Sequence, residues 1–424
     1  MENLKKIAPT SKVSGDLDVP SSKSYAQRAI ALAALIGEVV VLDHISECDD
    51  VHAAISIIQE LGVREKREGG KLLFSDGMKL NRNVNINCGE SGLSTRLFSS
   101  FSLLSDHEFS VNGSGSILNR PMDMIIDALQ QFGKKVSSNK GRLPLSIKGE
   151  TKPSSLNLDG SISSQSLTGF LLVAPFLPFD LTIDVDDLKS KPYIDMTIKV
   201  MADFGLDVRH DDYKTFFIAG NQSPRVPDLY SVEGDWSGAS FLIVSALIGG
   251  ELRLKGLAKE SLQADKAILS VVAEAGGSYT WEGQDLIVHK SDVAPFNADA
   301  TDFPDLFPPL VALAAMIDGQ SSIRGVHRLE HKESDRAKAL IKEFRKMGIL
   351  IEQRDDSLII NGLKKGESIE GGVYSSHNDH RMAMAISLMS LRSSKDIFIE
   401  QPESVKKSYP LFFEDFEKIS SIQK

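Results

Sequence analysis

The chain has 424 residues, with 48 Lys and Arg against 58 Asp and Glu, and its net charge of −10 argues against general nucleic-acid binding. A composition of 42% apolar and 25% charged residues, with only 32 Gly and 16 Pro, excludes a disordered, low-complexity or collagen-like chain. No apolar run reaches the roughly 18 residues of a membrane span, residues 1–6 lack the apolar core of a signal peptide, and Cys48 and Cys88 read as reduced residues of a cytoplasmic protein.

Taken in chain order, the apolar pattern predicts two short strands at residues 7–8 and 13–19. A helix ending near Ile36 follows, then a strand over 39–42. Val51, Ala54, Ile55, Ile58 and Leu61 share the face of a second helix that stops at Gly62. The same stop recurs at Gly133, Gly205, Gly276 and Gly348, at spacings of 71, 72, 71 and 72 residues. Glycine past a helix end takes the left-handed φ that closes the helix without a Cβ clash. After each glycine comes a strand pair, whose second members fall at 71–74, 143–147, 215–218, 285–288 and 357–360. The unit reads α-β-α-β-β, and the last helix, near 412–419, has no strands after it. The N-terminal strands therefore complete the sixth unit. This predicts an α/β fold of two pseudo-threefold domains, one over 15–232 and one joining 1–14 to 233–424.

The first helix of several units opens on small polar residues: Ser21-Ser22-Lys23-Ser24, Glu90-Ser91-Gly92, Ser163-Ser164-Gln165, Gly234-Asp235-Trp236-Ser237 and Ser376-His377-Asn378-Asp379. Each alone also reads as an N-cap. Together, on equivalent helix ends, they predict anion sites at one side of each domain, because unpaired N–H groups and the helix dipole favour negative charge. Lys23, Arg28, Arg96, Arg120, Lys332, Arg336, Arg381 and Lys407 lie in or beside such segments. Arginine forks suit carboxylate and phosphate, so the expected substrates carry both. No P-loop run is present, and His377 and His380 do not make a metal-ligand set. Asp305 and Glu333 are the candidate acid–base groups, with Lys332 placed to tune them.

These motifs resemble the 5-enolpyruvylshikimate-3-phosphate synthase family of enolpyruvyl transferases. The matching segments are Ser22-Lys23-Ser24 with Arg28, residues 89–96, Asn119-Arg120-Pro121, residues 160–165, residues 190–195, Phe303-Pro304-Asp305, residues 332–336, residues 378–384 and Lys407-Ser408-Tyr409-Pro410. They stand in order along nearly the whole chain. The resemblance implies two inverted α/β barrel domains with the substrate cleft between them. It implies transfer of the enolpyruvyl group of phosphoenolpyruvate to the 5-hydroxyl of shikimate 3-phosphate, by addition and elimination, with no metal and no cofactor. It further implies that Lys23, Ser24, Arg28, Ser163, Ser164, Gln165, Ser190, Tyr193, Asp305, Arg328 and Lys332 hold shikimate 3-phosphate. Lys23, Gly92, Arg120, Gln165, Arg336, Arg381 and Lys407 would hold phosphoenolpyruvate. Asp305 would take the 5-hydroxyl proton and Glu333 would move the proton at the pyruvyl methylene. Lys332 and Lys23 would act beside them.

The chain departs from the family pattern at Glu90, Leu93, Leu97 and Arg328, and Glu90 is expected to pair with Arg96 or Arg120. Two rival readings are a UDP-N-acetylglucosamine enolpyruvyl transferase and a non-enzymatic anion-binding protein on the same scaffold. The first usually carries a cysteine before the arginine matching Arg120, and residues 113–121 hold none. The second gives no reason for Asp305 beside Lys332-Glu333. The expected partners are the two small substrates alone, with no nucleic acid and no membrane, for a cytoplasmic monomer.

Overall fold

The computed structural model describes residues 4–161, 163–330 and 332–422, so Ile162 and His331, which fall within two of the polar segments, lie outside it. The chain divides into two compact units. One is continuous, Ser21–Val232; the other joins the segment ending at Pro20 to the chain from Glu233 onward.

In the continuous unit three small sheets share one plan. Val84–Asn87 runs parallel to Phe109–Asn112, which pairs antiparallel with Arg142–Lys148, and Lys135–Asn139 forms the edge. Leu156–Asp159, Leu181–Asp186, Thr215–Ile218 and Arg209–Asp211 repeat that order. In the third sheet Val40–Asp43, Lys71–Ser75 and Arg64–Glu68 take the last three places, and the first strand, Tyr230–Ser231, comes from the far end of the unit. The strands alternate in burial, as Val84 and Ile86 in and Asn85 and Asn87 out, so each sheet has one wet face.

Three helices lie inside these sheets and pack on one another: Lys23–Ile36, Gly92–Ser99 and Gln165–Val173. They are apolar or small nearly all round, which is the pattern of a helix buried on every side. The helices that end at the repeat glycines, such as Asp49–Glu60 and Asp123–Gln131, bury one face only. All five repeat glycines adopt left-handed backbone, from φ 73 at Gly205 to φ 100 at Gly62.

The other unit follows the same plan around Trp236–Gly249, Phe307–Met316 and His380–Leu388. Both ends of the chain enter its sheets. Leu4–Ile7, rather than the expected strand at 7–8, pairs antiparallel with Ile397–Glu400 in the sheet of the sixth repeat. Thr10–Asp18 does not join it. That strand runs parallel to Gly250–Lys255 and opens the fourth repeat, with Ser420–Ile422 on its other edge. The expected domain boundary at residue 15 is therefore displaced. It falls inside a continuous ladder from Val13–Gly250 to Asp18–Lys255, which holds the chain to this unit as far as Pro20.

Candidate active site

In the continuous unit the polar helix starts carry two clusters. Ser22 caps Lys23–Ile36 by accepting the Tyr25 N–H, and Lys23, the first residue of that helix, reaches Asp50 at 2.7 Å. One turn on, Arg28 is 2% exposed. It donates to Thr197 Oγ1 at 2.9 Å, to the Ser24 carbonyl at 2.7 Å and to the Tyr193 carbonyl at 3.1 Å. Burial lowers its pKa to about 10, against the opposing charge of nearby tyrosines. Ser190 sits in the left-handed region (φ 56) just before the helix Lys191–Asp203, which brings the Tyr193 carbonyl to Arg28.

The second cluster joins two other helix starts. Ser91 caps Gly92–Ser99, and the Ser91 and Ser94 hydroxyls both donate to Gln27 Oε1. Arg96 donates to Gln165 Oε1 at 3.1 Å and to the Pro121 carbonyl at 3.2 Å. Burial, and then the neighbouring charge of Arg120, lower Arg96 to about 9. A Cβ on Gly92 would stand 2.6 Å from an Arg120 Nη1, so glycine there is what lets the guanidinium lie over the helix start. Ser163 accepts the Gln165 N–H at 3.2 Å, and Ser164 occupies the cap position. Gly92, Arg96, Arg120 and Gln165 thus meet in one place. Glu90 accepts the Ser116 N–H at 3.0 Å and packs tightly on Gly115, where a Cβ would stand 2.3 Å from its carboxyl carbon.

The other unit gathers the acid–base candidates. Asp305 lies in the short turn Pro304–Leu306 ahead of Phe307–Met316. Its carboxylate is 3.4 Å from Lys332 Nζ, 2.9 Å from Arg336 Nη1 and 3.0 Å from Arg381 Nη2. Burial alone would raise the Asp305 pKa, but Arg381, Lys332 and Arg336 override it and hold the group well below the usual carboxylate range. Arg336 is fully buried and uses its whole fork: Nη2 to Glu333 at 2.6 Å, Nε to Asp379 at 2.9 Å, and Nη1 to Asp305. Those carboxylates keep its pKa above the usual value in spite of burial. Lys332 shifts the other way: burial lowers it, Asp305 opposes and Arg336 adds to the fall. Arg381 also donates to Ser237 Oγ at 2.6 Å and contacts the His380 ring. Lys407 donates to the Asn378 carbonyl at 2.7 Å, and Arg328, buried in the turn Val326–Arg328, adds charge near Lys332.

Several members of these clusters are not among the expected site residues. Thr197 holds Arg28, and Asp50 holds Lys23. Asp379 caps His380–Leu388 through the Arg381 N–H while taking Arg336 on its other oxygen. Its sequence signal is its place in Asn378-Asp379-His380-Arg381. Asp265 is buried with Oδ1 unpartnered among the described residues, and burial followed by Asp305 raises it to about 7. Glu343, two turns along the helix of Arg336, takes His377 at 2.8 Å. Both cysteines are buried, and burial pushes their thiols up to about 11 for Cys48 and about 12 for Cys88, so neither is a thiolate at neutrality. Among the described residues no three His, Cys, Asp or Glu side chains stand where they could share a metal ion.

Chemically, the arrangement offers an ionised base, Asp305, and a second carboxylate, Glu333, among fixed cations, which suits anionic substrates that must lose or gain a proton. Comparison with known proteins agrees in kind. Residues 7–416 match the family model described as EPSP synthase (3-phosphoshikimate 1-carboxyvinyltransferase). The 3-phosphoshikimate 1-carboxyvinyltransferase of Clostridium novyi is 36% identical over 435 aligned residues, covering 100% of this chain and 98% of that one. The protein of the same name from Histophilus somni is 33% identical, with 100% of each chain covered. Among solved structures, an EPSP synthase from Acinetobacter baumannii superposes with a TM-score of 0.82 at 25% identity, over 99% of this chain and 98% of that one.

Proposed function

The chain belongs to the EPSP synthase (3-phosphoshikimate 1-carboxyvinyltransferase) family, and from that membership we infer its reaction. It is an enolpyruvyl transferase of the shikimate route to chorismate and the aromatic amino acids. It moves the enolpyruvyl group of phosphoenolpyruvate to the 5-hydroxyl of shikimate 3-phosphate and releases phosphate. The observation that carries the reading is Asp305, an ionised carboxylate within 3.4 Å of Lys332 and about 3 Å of Arg336 and Arg381, sharing Arg336 with Glu333.

In this reading Asp305 accepts the proton of the 5-hydroxyl as its oxygen bonds to C2 of phosphoenolpyruvate. Glu333, which takes up a proton as a substrate anion displaces it from Arg336, delivers that proton to the methylene carbon, giving a methyl group in a tetrahedral intermediate. Elimination then returns a methyl proton to Glu333, re-forms the double bond and breaks the C2–O bond to phosphate, which leaves with the proton that Asp305 had taken. Lys332 and Lys23 steady the negative charge of the reacting groups. Arg120, Arg336, Arg381 and Lys407, with Gly92 and Gln165, take the phosphoenolpyruvate anion. Ser24, Arg28, Ser163, Ser164, Gln165, Ser190, Tyr193 and Arg328 take shikimate 3-phosphate. Many fixed cations offset the repulsion of two polyanions. Asp305 and Glu333 occupy those cations in the unliganded chain. An arriving substrate carboxylate that claims Arg336 or Arg381 makes Asp305 a stronger base when it is needed.

A UDP-N-acetylglucosamine acceptor is not favoured: residues 113–121 hold no cysteine, and Cys48 and Cys88 are buried. We also propose a cytoplasmic monomer without nucleic-acid partners: the net charge of −10 argues against nucleic acid, and the buried free thiols suit a reducing compartment. No helix among the described residues is long and apolar enough to cross a membrane. The test is phosphate release from phosphoenolpyruvate with purified protein. Release that depends on shikimate 3-phosphate, and not on UDP-N-acetylglucosamine, is the expected result. The reverse dependence, or none, would sink the reading.

A further inference from the structure

The Lys407 ammonium donates to the Asn378 carbonyl at 2.7 Å. That carbonyl belongs to an unusual segment. His377 and Asn378 are consecutive non-glycine residues in left-handed backbone, at φ 53 and φ 55. Such residues carry a conformational cost and persist only where their surroundings hold them. The next residue, Asp379, caps a buried helix and takes Arg336. The orientation of Lys407 therefore depends on how this turn is held.

Glu343 holds it. The residue lies on the helix Arg336–Lys346, and its side chain is fully buried. One oxygen pairs with His377 Nε2 at 2.8 Å. The other accepts the Ser375 N–H at 3.2 Å and Lys346 Nζ at 2.7 Å. On the far side of the turn, Asn378 N–H is taken by Gln401 Oε1 at 2.8 Å. Glu343 is thus an acidic anchor on the near side of the turn, and it sits on the same helix whose first residue is Arg336. We propose that Glu343, acting through His377 and the His377–Asn378 turn, is the residue that positions Lys407 for the phosphoenolpyruvate anion. It touches neither substrate; it is a positioning residue, and its role rests on the reaction given above.

The test is a cycle of variants. Glu343→Gln keeps the shape and one acceptor but loses the charge that draws in His377 and Lys346. It should raise KM for phosphoenolpyruvate on the order of ten- to a hundredfold, with KM for shikimate 3-phosphate within about twofold. In a Lys407→Met background the same change should add little, because the group it positions is gone. Amide exchange gives a readout that does not depend on turnover: the peptide over residues 375–381 should lose protection in Glu343→Gln while the helix Trp236–Gly249 does not. Additive effects of the two substitutions, equal rises in both KM values, or unchanged exchange over 375–381 would each overturn the proposal. Failure of the unaltered protein to release phosphate would count against the reaction instead, and the exchange result would still decide the role of Glu343.

Discussion

Asp305 shows how the site sets the charge state of its base. Three cations hold its pKa down against burial, so it stays ionised across the neutral range, and its own protonation limits activity only well on the acid side. Asp305→Asn and Glu333→Gln should each lower kcat by about 10²–10⁴-fold while KM changes far less, which steady-state kinetics would resolve. A near-normal kcat in either would remove that residue from its role. Glu343 gives a stability effect with a defined sign. Its pKa falls from 4.5 to about 2, burial being outweighed by His377, Lys346 and the Ser375 N–H. A depressed carboxylate stabilises the fold fully above its unfolded value, and that contribution is lost as pH falls from about 4.5 towards 2. Denaturation midpoints of the unaltered protein and Glu343→Gln should therefore differ at pH 6 and converge near pH 2; a constant gap would contradict the assignment. The cations of the site were legible as residues, because they sit beside polar helix starts. Their partners were not: Glu343 meets His377 across 34 residues and Asp50 meets Lys23 across 27, distances that no local pattern encodes.

At the scale of elements, the arrangement depends on helices that approach closely inside the sheets. Gly169 lies on Gln165–Val173, and a Cβ there would stand 3.0 Å from the Arg96 carbonyl and the Leu97 backbone. The neighbours are main chain, which cannot swing aside as a side chain would. Gly169→Val should therefore cost about 1–3 kcal/mol in chemical denaturation. The same displacement separates the helix carrying Arg96 from the one carrying Gln165, so the contact between them should loosen and donor KM should rise. A variant with unchanged stability would mean that the two helices have room to spare. The repeat that built these elements was readable because glycine at a helix stop and alternation in a strand are local signals. The strand Tyr230–Ser231 was not, being two residues long and recruited from the end of the unit to complete its first sheet. The role of Thr10–Asp18 was also hidden, since its alternation shows a strand but not which of two repeats it joins.

For the whole molecule, the two units differ in how the chain builds them. Ser21–Val232 is continuous, whereas the other unit needs both chain ends. Thr10–Asp18 lies between Gly250–Lys255 and Ser420–Ile422, and the N-terminal segment puts Ile7, Val13, Leu17 and Val19 into that unit's core, each no more than 4% exposed. Burying such a side chain stabilises by about 1.5–3 kcal/mol, so four of them supply roughly 6–12 kcal/mol. That rivals the roughly 5–15 kcal/mol total stability of a typical domain. Deleting residues 1–19 should therefore unfold this unit and leave the continuous one, with its own core, intact. The chain provides the reporter, because both tryptophans, Trp236 and Trp281, lie in the discontinuous unit. The truncated protein should show solvent-exposed tryptophan emission before any denaturant is added. Its far-ultraviolet circular dichroism should still show one cooperative transition, from Ser21–Val232. Asp305 and Arg336 belong to the unfolded part, so enolpyruvyl transfer should be lost as well. Native tryptophan emission in the truncated chain would mean that the sheet closes without its N-terminal strand.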